Sequence, residues 1–398
     1  MVLANPLDHM AGRQIDLDAI PSDIITQRNY NYLLEDEYIV PEGIILELDE
    51  VQQFEKAQDE IYSIFQSELE EMIRNGQFGF LDLPSKMIDL IIYSYQKKHQ
   101  HVVGRFDFAG GIDGLPIKLL EYNADTPTMI PESSFVQDAF FKHIYKKPAQ
   151  QYNSLEKDLE VFFNRLLISE SKNHPSLIAT SLGYPEDTAH AKFIMDIASK
   201  EGFDVEYADL QHIIFSPGEG VYLEADNGDY VQADYLYKMI PWEFICFEEP
   251  ELLDILHDLI TNDLVYVMNP AYTLVYQSKL FLDHVSKKYD RPFFLQSSRY
   301  PKDFMGKKYV EKVSFGRLGE NIKIFDESSQ IIEETDGDFG HFDKVYQEFT
   351  DLYKDQFNEY YQLGLFNVKG IGSCMSFRRA DKLIIDDDAE FIPHFIPQ

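Results

Sequence analysis

Residues 104–128 read GRFDFAGGIDGLPIKLLEYNADTPT, and this stretch decides the fold. Arg105 and Asp107 lie on one side of a short alternating segment, and Glu121 and Asn123 on one side of another. Gly110, Gly111, Asp113, Gly114 and Pro116 supply the turn between them. Side chains alternate along a strand, so a hairpin of this kind brings one arginine, two carboxylates and one carboxamide to a single face. Hard oxygen donors beside a cation suit magnesium bound to a polyphosphate. Charged residues on an open hairpin face are, one by one, more often solvated than functional, but four around one glycine turn carry more weight.

Upstream of the hairpin, residues 1–22 show little periodicity and are expected to wrap a surface or fray. Val51, Phe54, Ile61, Ile64, Phe65, Leu69 and Ile73 recur at helical spacing and predict a helix over 49–75, with Asp49 as its cap. A second helix is expected over 84–98, capped by Ser85. Downstream, helical patterns return over 131–145 and 155–167. Then the texture changes. A strand over 176–180, a loop over 181–185, a helix over 188–201 and a strand over 203–207 compose a βαβ unit of a parallel sheet. Further strands are expected over 235–247 and 263–268, before a junction at Asn269-Pro270. A helix is predicted over 279–288, strands over 308–313 and 321–325, and an acidic, turn-rich stretch over 330–340. Strand 345–349 and paired strands within 366–385 complete the chain.

The 398 residues suffice for two or three packed units. With 44% hydrophobic and 14% aromatic residues, global disorder is excluded. A net charge of −34 argues against nucleic acid and anionic membrane as partners, and favours a cationic small molecule. Cys246 and Cys374 lie far apart and read as reduced thiols. The opening residues carry no basic segment followed by an apolar one, and no apolar run is long enough to span a bilayer. The expectation is a soluble, cytoplasmic protein.

Three further pieces carry chemistry. Residues 309–322 read YVEKVSFGRLGENI, in which Lys312 ends a strand and Gly316 and Gly319 bracket Arg317. Glycines let backbone N–H groups approach phosphate oxygens, and the ammonium adds a point charge. Lys279 opens a helical stretch, where a lysine is ordinarily solvated. Arg378 and Arg379 are adjacent on a predicted strand, so only one of them aims into a given cleft.

Together, GRFDF…LLEYNAD, YVEKVSFGRLGENI and RRADKLIIDDDAEFIPHFI resemble the synthetase domain of glutathionylspermidine synthases and their stand-alone relatives, the ATP-grasp acid–amine ligases. The resemblance runs from about residue 105 to 396. It implies an α+β chain with an ATP-grasp fold in permuted order, the metal residues preceding the lysines, and a pre-ATP-grasp-like α/β subdomain. The corresponding division is a helical segment with the metal-binding hairpin over 1–165 and the α/β subdomain over 166–268. An ATP-binding lid over 269–343 follows, then strands over 344–398 that return to the central unit.

The resemblance also implies roles. Asp107, Glu121 and Asn123 match magnesium ligands. Lys279 and Lys312 match ATP-binding lysines, and Gly316, Arg317 and Gly319 the loop that closes over the triphosphate. Arg105 and Arg378 match catalytic arginines near the reacting carboxyl. Thr126, Thr128, Glu186, Asp187 and Glu390 fall at substrate-binding positions. The implied reaction is ATP-dependent amide formation through an acyl phosphate. The substrates are a small-molecule or peptide acid such as glutathione and a small amine such as a polyamine, and the enzyme a monomer or homodimer. A kinase or a non-catalytic nucleotide-binding protein on the same scaffold is the alternative. Val313 follows Lys312 where the family usually has proline, and the Thr126/Thr128 pattern is that of the stand-alone relatives. The expectation is a ligase without the upstream Cys–His amidase module of the bifunctional members.

Overall fold

The hairpin forms where the sequence predicts it, and the rest of the molecule is arranged around it. The computed structural model describes residues 13–34, 38–169, 173–225 and 228–398. Val103–Ala109 pairs antiparallel with Lys118–Asn123, in a register that sets Arg105 opposite Asn123 and Asp107 opposite Glu121. Tyr360–Val368 pairs with the other edge of Val103–Ala109, followed by Ile371–Ala380 and Glu390–Ile392. One face of this central sheet is apolar. Phe106 and Tyr122 stack with ring centroids 3.7 Å apart, and Phe65 of the long helix Leu48–Asn75 packs edge-on against Phe106. Burial of these aromatics supplies the main favourable term that holds the helix on the sheet.

The βαβ reading also holds. Ser176–Ser181, Pro185–Lys200 and Asp204–Asp209 form the unit, and Tyr235–Lys238 and Tyr266–Met268 extend the parallel sheet. A third layer is antiparallel. Its strands include Tyr309–Val313, Lys323–Phe325, Ile331–Glu334 and Lys344–Glu348.

Several expectations need correction. The strand expected over 235–247 stops at Lys238, and Trp242–Phe247 is a helix that starts directly after Pro241. The Trp242 N–H donates to Asp125 and its indole N–H to the Asn269 carbonyl, so tertiary bonds select the helical course. The acidic stretch 330–340 contains the strand Ile331–Glu334, whose backbone pairs with Lys323–Phe325 despite its turn-rich composition. The paired strands placed within 366–385 are Tyr360–Val368 and Ile371–Ala380, turning at Lys369 and Gly370, both in the left-handed region. The first long helix is capped by Glu47 and not Asp49, with Glu50 accepting the Glu47 N–H at 2.9 Å. Ser85 is the first residue of the second helix, with Pro84 in the N-cap position and no side-chain cap. Helix Pro250–Thr261 and the small sheet Ile213–Ser216, Gly220–Glu224, Tyr230–Gln232 were not anticipated. Of the stretch 1–22, the part before Arg13 lies outside the described residues. No helix among the described residues is long and apolar enough to cross a membrane.

Candidate active site

Strand register alone gathers most of the site. Directly opposed residues in an antiparallel sheet share a face, and residues two apart on one strand do too. Asp107 stands opposite both Glu121 and Gly364, and Gln362 stands opposite Arg378. Arg105, Asp107, Glu121, Asn123, Gln362 and Arg378 therefore face the same way, across three adjacent strand pairs. That face is the floor of a cavity of about 900 Å³. A side chain at Gly364 would place its Cβ 2.9 Å from Arg105 Cδ, so glycine gives the arginine room to lie across the sheet.

The roof comes from elsewhere in the chain. Lys279 is the first residue of helix Lys279–Lys288, an electrostatically poor place for a cation. It is held there by Glu121, 2.9 Å from Nζ, and donates to the Gly316 carbonyl at 3.1 Å. Lys312 donates to the Leu120 carbonyl at 3.3 Å. The 316–319 loop crosses the cavity, and Arg317 donates to Glu243 Oε1 at 2.9 Å and to Thr126 Oγ1 at 2.6 Å. Gly319 has φ +72, and a Cβ there would meet Asp386 Cα at 2.7 Å. Only glycine fits that crossing.

Charge compensation runs through the whole site. Arg105 donates to both Asp107 oxygens, at 2.7 and 2.9 Å, and Asn123 adds a third bond at 3.0 Å. Burial pushes Asp107 up even so, and the Arg105 guanidinium opposes that push. Burial also disfavours ionised Glu121, but the Lys279 and Lys312 ammonium groups outweigh it and hold Glu121 down at about 2. Burial lowers Lys312 to about 8, with Glu121 pulling the other way. Arg378 donates through Nη2 to the Asp387 and Ala389 carbonyls, at 3.1 and 3.4 Å, while its buried Nε has no partner. A buried donor left open in a cavity is suited to an incoming oxyanion.

Every residue singled out from the sequence lines this cavity except Glu390. Glu390 stands opposite Arg379, one position along from Arg378, so both face the other side of the sheet. Arg379 Nε donates to Glu390 at 2.7 Å and its Nη1 to Glu42. The period of the strand thus removes Glu390 from the cavity. It keeps Arg378 in the cavity, as expected for one of two adjacent arginines.

Sequence reasoning missed the two buried acids Glu243 and Glu132 of this cavity. Glu243 is 3% exposed, lines the cavity and accepts from Gln277 as well as Arg317. Glu132 is 0% exposed and also lines it. The signal for Glu132 was present, since it is the one charged residue in 129–136, directly after the hairpin motif.

The fold is shared with a glutathione synthetase-like effector from Globodera pallida, at a TM-score of 0.54 and 8% identity, over 95% of this chain and 98% of that one. The class of protein is a ligase that forms carbon–nitrogen bonds. The chain belongs to the glutathionylspermidine synthase preATP-grasp family, whose model matches residues 21–397. It is 24% identical to the "Putative acid–amine ligase" of Haemophilus influenzae, over 88% of each chain. It is 21% identical to the bifunctional glutathionylspermidine synthetase/amidase of Escherichia coli, over 93% of this chain and 60% of that one. The trypanothione synthetase of Crithidia fasciculata is 22% identical over 68% of this chain and 44% of its own length.

Proposed function

We propose that this protein is an ADP-forming acid–amine ligase. It would use ATP to activate the carboxyl group of a small or peptide acid and pass the acyl group to a small amine. The observation that supports this reading is the single cavity in which the hairpin acids face two lysines and a glycine loop from distant parts of the chain. The four-segment division given above, with the metal residues ahead of the lysines in a permuted ATP-grasp order, is part of the proposal.

Asp107, Glu121 and the Asn123 carboxamide form an all-oxygen donor set of the kind magnesium takes, and these residues would hold it. Bound there, magnesium would neutralise phosphate charge. In the present arrangement Arg105 and Lys279 pair with the two carboxylates and hold them in place. Lys279, Lys312 and the 316–319 loop would bind the triphosphate, and the aliphatic lining of Leu120, Val310, Ile324 and Ile385 suits a flat base. Arg105 and the open Nε of Arg378 would orient the substrate carboxylate and spread the charge that develops as it takes the γ-phosphoryl group. The acyl phosphate so formed must be kept from water, and the Arg317 clasp on Glu243 and Thr126 is placed to do this. Thr126, Thr128, Glu186 and Asp187 would bind acid and amine. Glutathione and spermidine are the first candidates, because relatives are named for joining them.

The test is ATP consumption across a panel of peptides and amino acids crossed with polyamines, with mass spectrometry of the coupled product. Lys312→Ala and Asp107→Asn should each abolish amine-dependent ADP release while the fold persists. ADP release that needs no amine, with a stable phosphorylated product, would point to a kinase instead.

A further inference from the structure

Glu132 occupies the first position of a π-helical turn, Glu132–Val136, at one end of the cavity. Such turns widen a helix locally and recur at functional sites. Its Oε1 accepts long, weak bonds from the Tyr32 and Tyr38 hydroxyls, at 3.4 and 3.3 Å. Its Oε2 has no hydrogen-bond partner, although the residue is 0% exposed. Glu186 faces it, and oxygens of both acids lie within 4.8 Å of a His190 nitrogen. His190 supplies no counter-charge. Its Nδ1 donates to the Glu186 carbonyl at 2.7 Å, and its Nε2 accepts the Ile130 N–H at 3.1 Å. With both nitrogens engaged the imidazole is neutral, which also leaves it no lone pair for a metal. Burial lowers it to about 4, in agreement.

A fully buried carboxylate oxygen without a donor is costly unless something occupies the space in front of it. We propose that Glu132 and Glu186 form the subsite for the acceptor amine, which arrives as an alkylammonium ion, and that Glu132 Oε2 takes its proton. The proposal rests on the ligase reading for the reaction, though not for the binding. Glu132 enters with its own proton, so one proton passes to solvent as the ammonium binds; the ammonium proton then rests on Oε2, and the freed lone pair forms the C–N bond to the acyl phosphate carbon. The C–O bond to phosphate breaks, and phosphate leaves with that electron pair and takes the second N–H proton. Burial, then the charge of Glu186, pushes Glu132 up to about 8, near the working pH where a proton acceptor is most effective. In a pocket this dry, the neutral acid and neutral amine are favoured over the ion pair, so transfer of the proton releases the nucleophile. Tyr32, Tyr38, His190, Asp187 and Asp387 are the other titratable neighbours, with Arg105 and Arg378 in the same cavity. The rings of Tyr32, Tyr38 and Tyr184 suit the carbon chain of an aliphatic amine.

Equilibrium calorimetry without ATP separates this subsite from the ligase reading. Spermidine, putrescine and propylamine are the probes, at millimolar concentration and pH 7, in buffers of different ionisation enthalpy. The wild type should bind at least one of them and release about one proton per amine, because an acid held near 8 cannot keep both its own proton and that of the ammonium. Glu132→Gln should weaken binding by at least about tenfold and abolish proton release. Glu132→Asp should restore part of both. Glu186→Gln, a change at a half-buried position that leaves the core intact, should weaken binding severalfold and serves if Glu132→Gln does not fold. Failure of all three probes to bind the wild type overturns the subsite, and so does unchanged affinity and proton release in the variants. Binding that behaves as expected in a protein with no amine-dependent ADP release would sink the ligase reading alone.

Discussion

Asp125 and Glu132 belong to one stretch of chain, and both are 0% exposed, yet their surroundings are opposite. Asp125 is fully paired. Lys238 Nζ lies 2.9 and 3.0 Å from its two oxygens, and the Trp242 N–H adds a bond at 2.7 Å. These contacts tie the end of the hairpin to the parallel sheet. Glu132 has two weak hydroxyl bonds on one oxygen, none on the other, and a second acid beside it. The difference teaches that burial of a carboxylate does not by itself mark function. A buried acid whose partners come from the chain is part of the scaffold, and one whose partner is missing is kept for a ligand.

The comparison can be broken most sharply at Asp125. Asp125→Ala leaves the Lys238 ammonium buried without its partner and should cost roughly 3–5 kcal/mol in urea unfolding. Asp125→Leu combined with Lys238→Met should recover much of that loss. Asp107 is the intermediate case, an acid paired by Arg105 yet open to the cavity. Asp107→Asn should lower amine-dependent ADP release by at least on the order of 10²-fold, about 2.7 kcal/mol, and should also lower the unfolding midpoint, by less than Asp125→Ala does, because buried Arg105 loses its anionic partner while keeping an amide oxygen.

Glu132→Gln should run against the usual trend for a buried polar group. The Glu132 carboxyl sits at about 8 in the folded protein and in the ordinary carboxylate range once unfolded. Between those values the folded state binds more protons, so wild-type stability falls as pH rises. Glutamine has no such penalty. The variant should gain on the wild type between about pH 4.5 and 8, by no more than about 1.4 kcal/mol per pH unit, and by a constant amount above. A gap that does not change with pH would mean that Glu132 is paired. Glu390→Gln is the smallest case. It loosens a partly exposed pair with Arg379, should cost under about 1 kcal/mol, and should leave amine coupling within about twofold.

The site was far more legible than the layers around it. Arg105, Asp107, Glu121 and Asn123 were readable because a strand alternates with period two, and a tight glycine turn leaves few registers open. The same period excludes Glu390. It was expected at the site only from the family resemblance, and in this chain it pairs with Arg379 on the other face. Helix Pro250–Thr261 carried a local signal that was passed over, with proline in its first turn and Leu253, Leu256, Leu259 and Ile260 at helical spacing, whereas the small sheet around Gly220–Glu224 is set by the strands that pair with it. The strand Ile331–Glu334 escaped for a similar reason, since its backbone finds Lys323–Phe325 whatever its composition.

Local pattern determined the hairpin, the βαβ unit and the helix that opens at Lys279, since each is built from one continuous stretch of chain. That Lys279 and Lys312 meet Glu121, that Arg317 spans from its loop to Glu243 and Thr126, and that one buried acid found a lysine while another did not were decided only by the tertiary structure. Charge pairing and desolvation depend on what lies within a few ångströms in space, and spacing along the chain does not encode that distance.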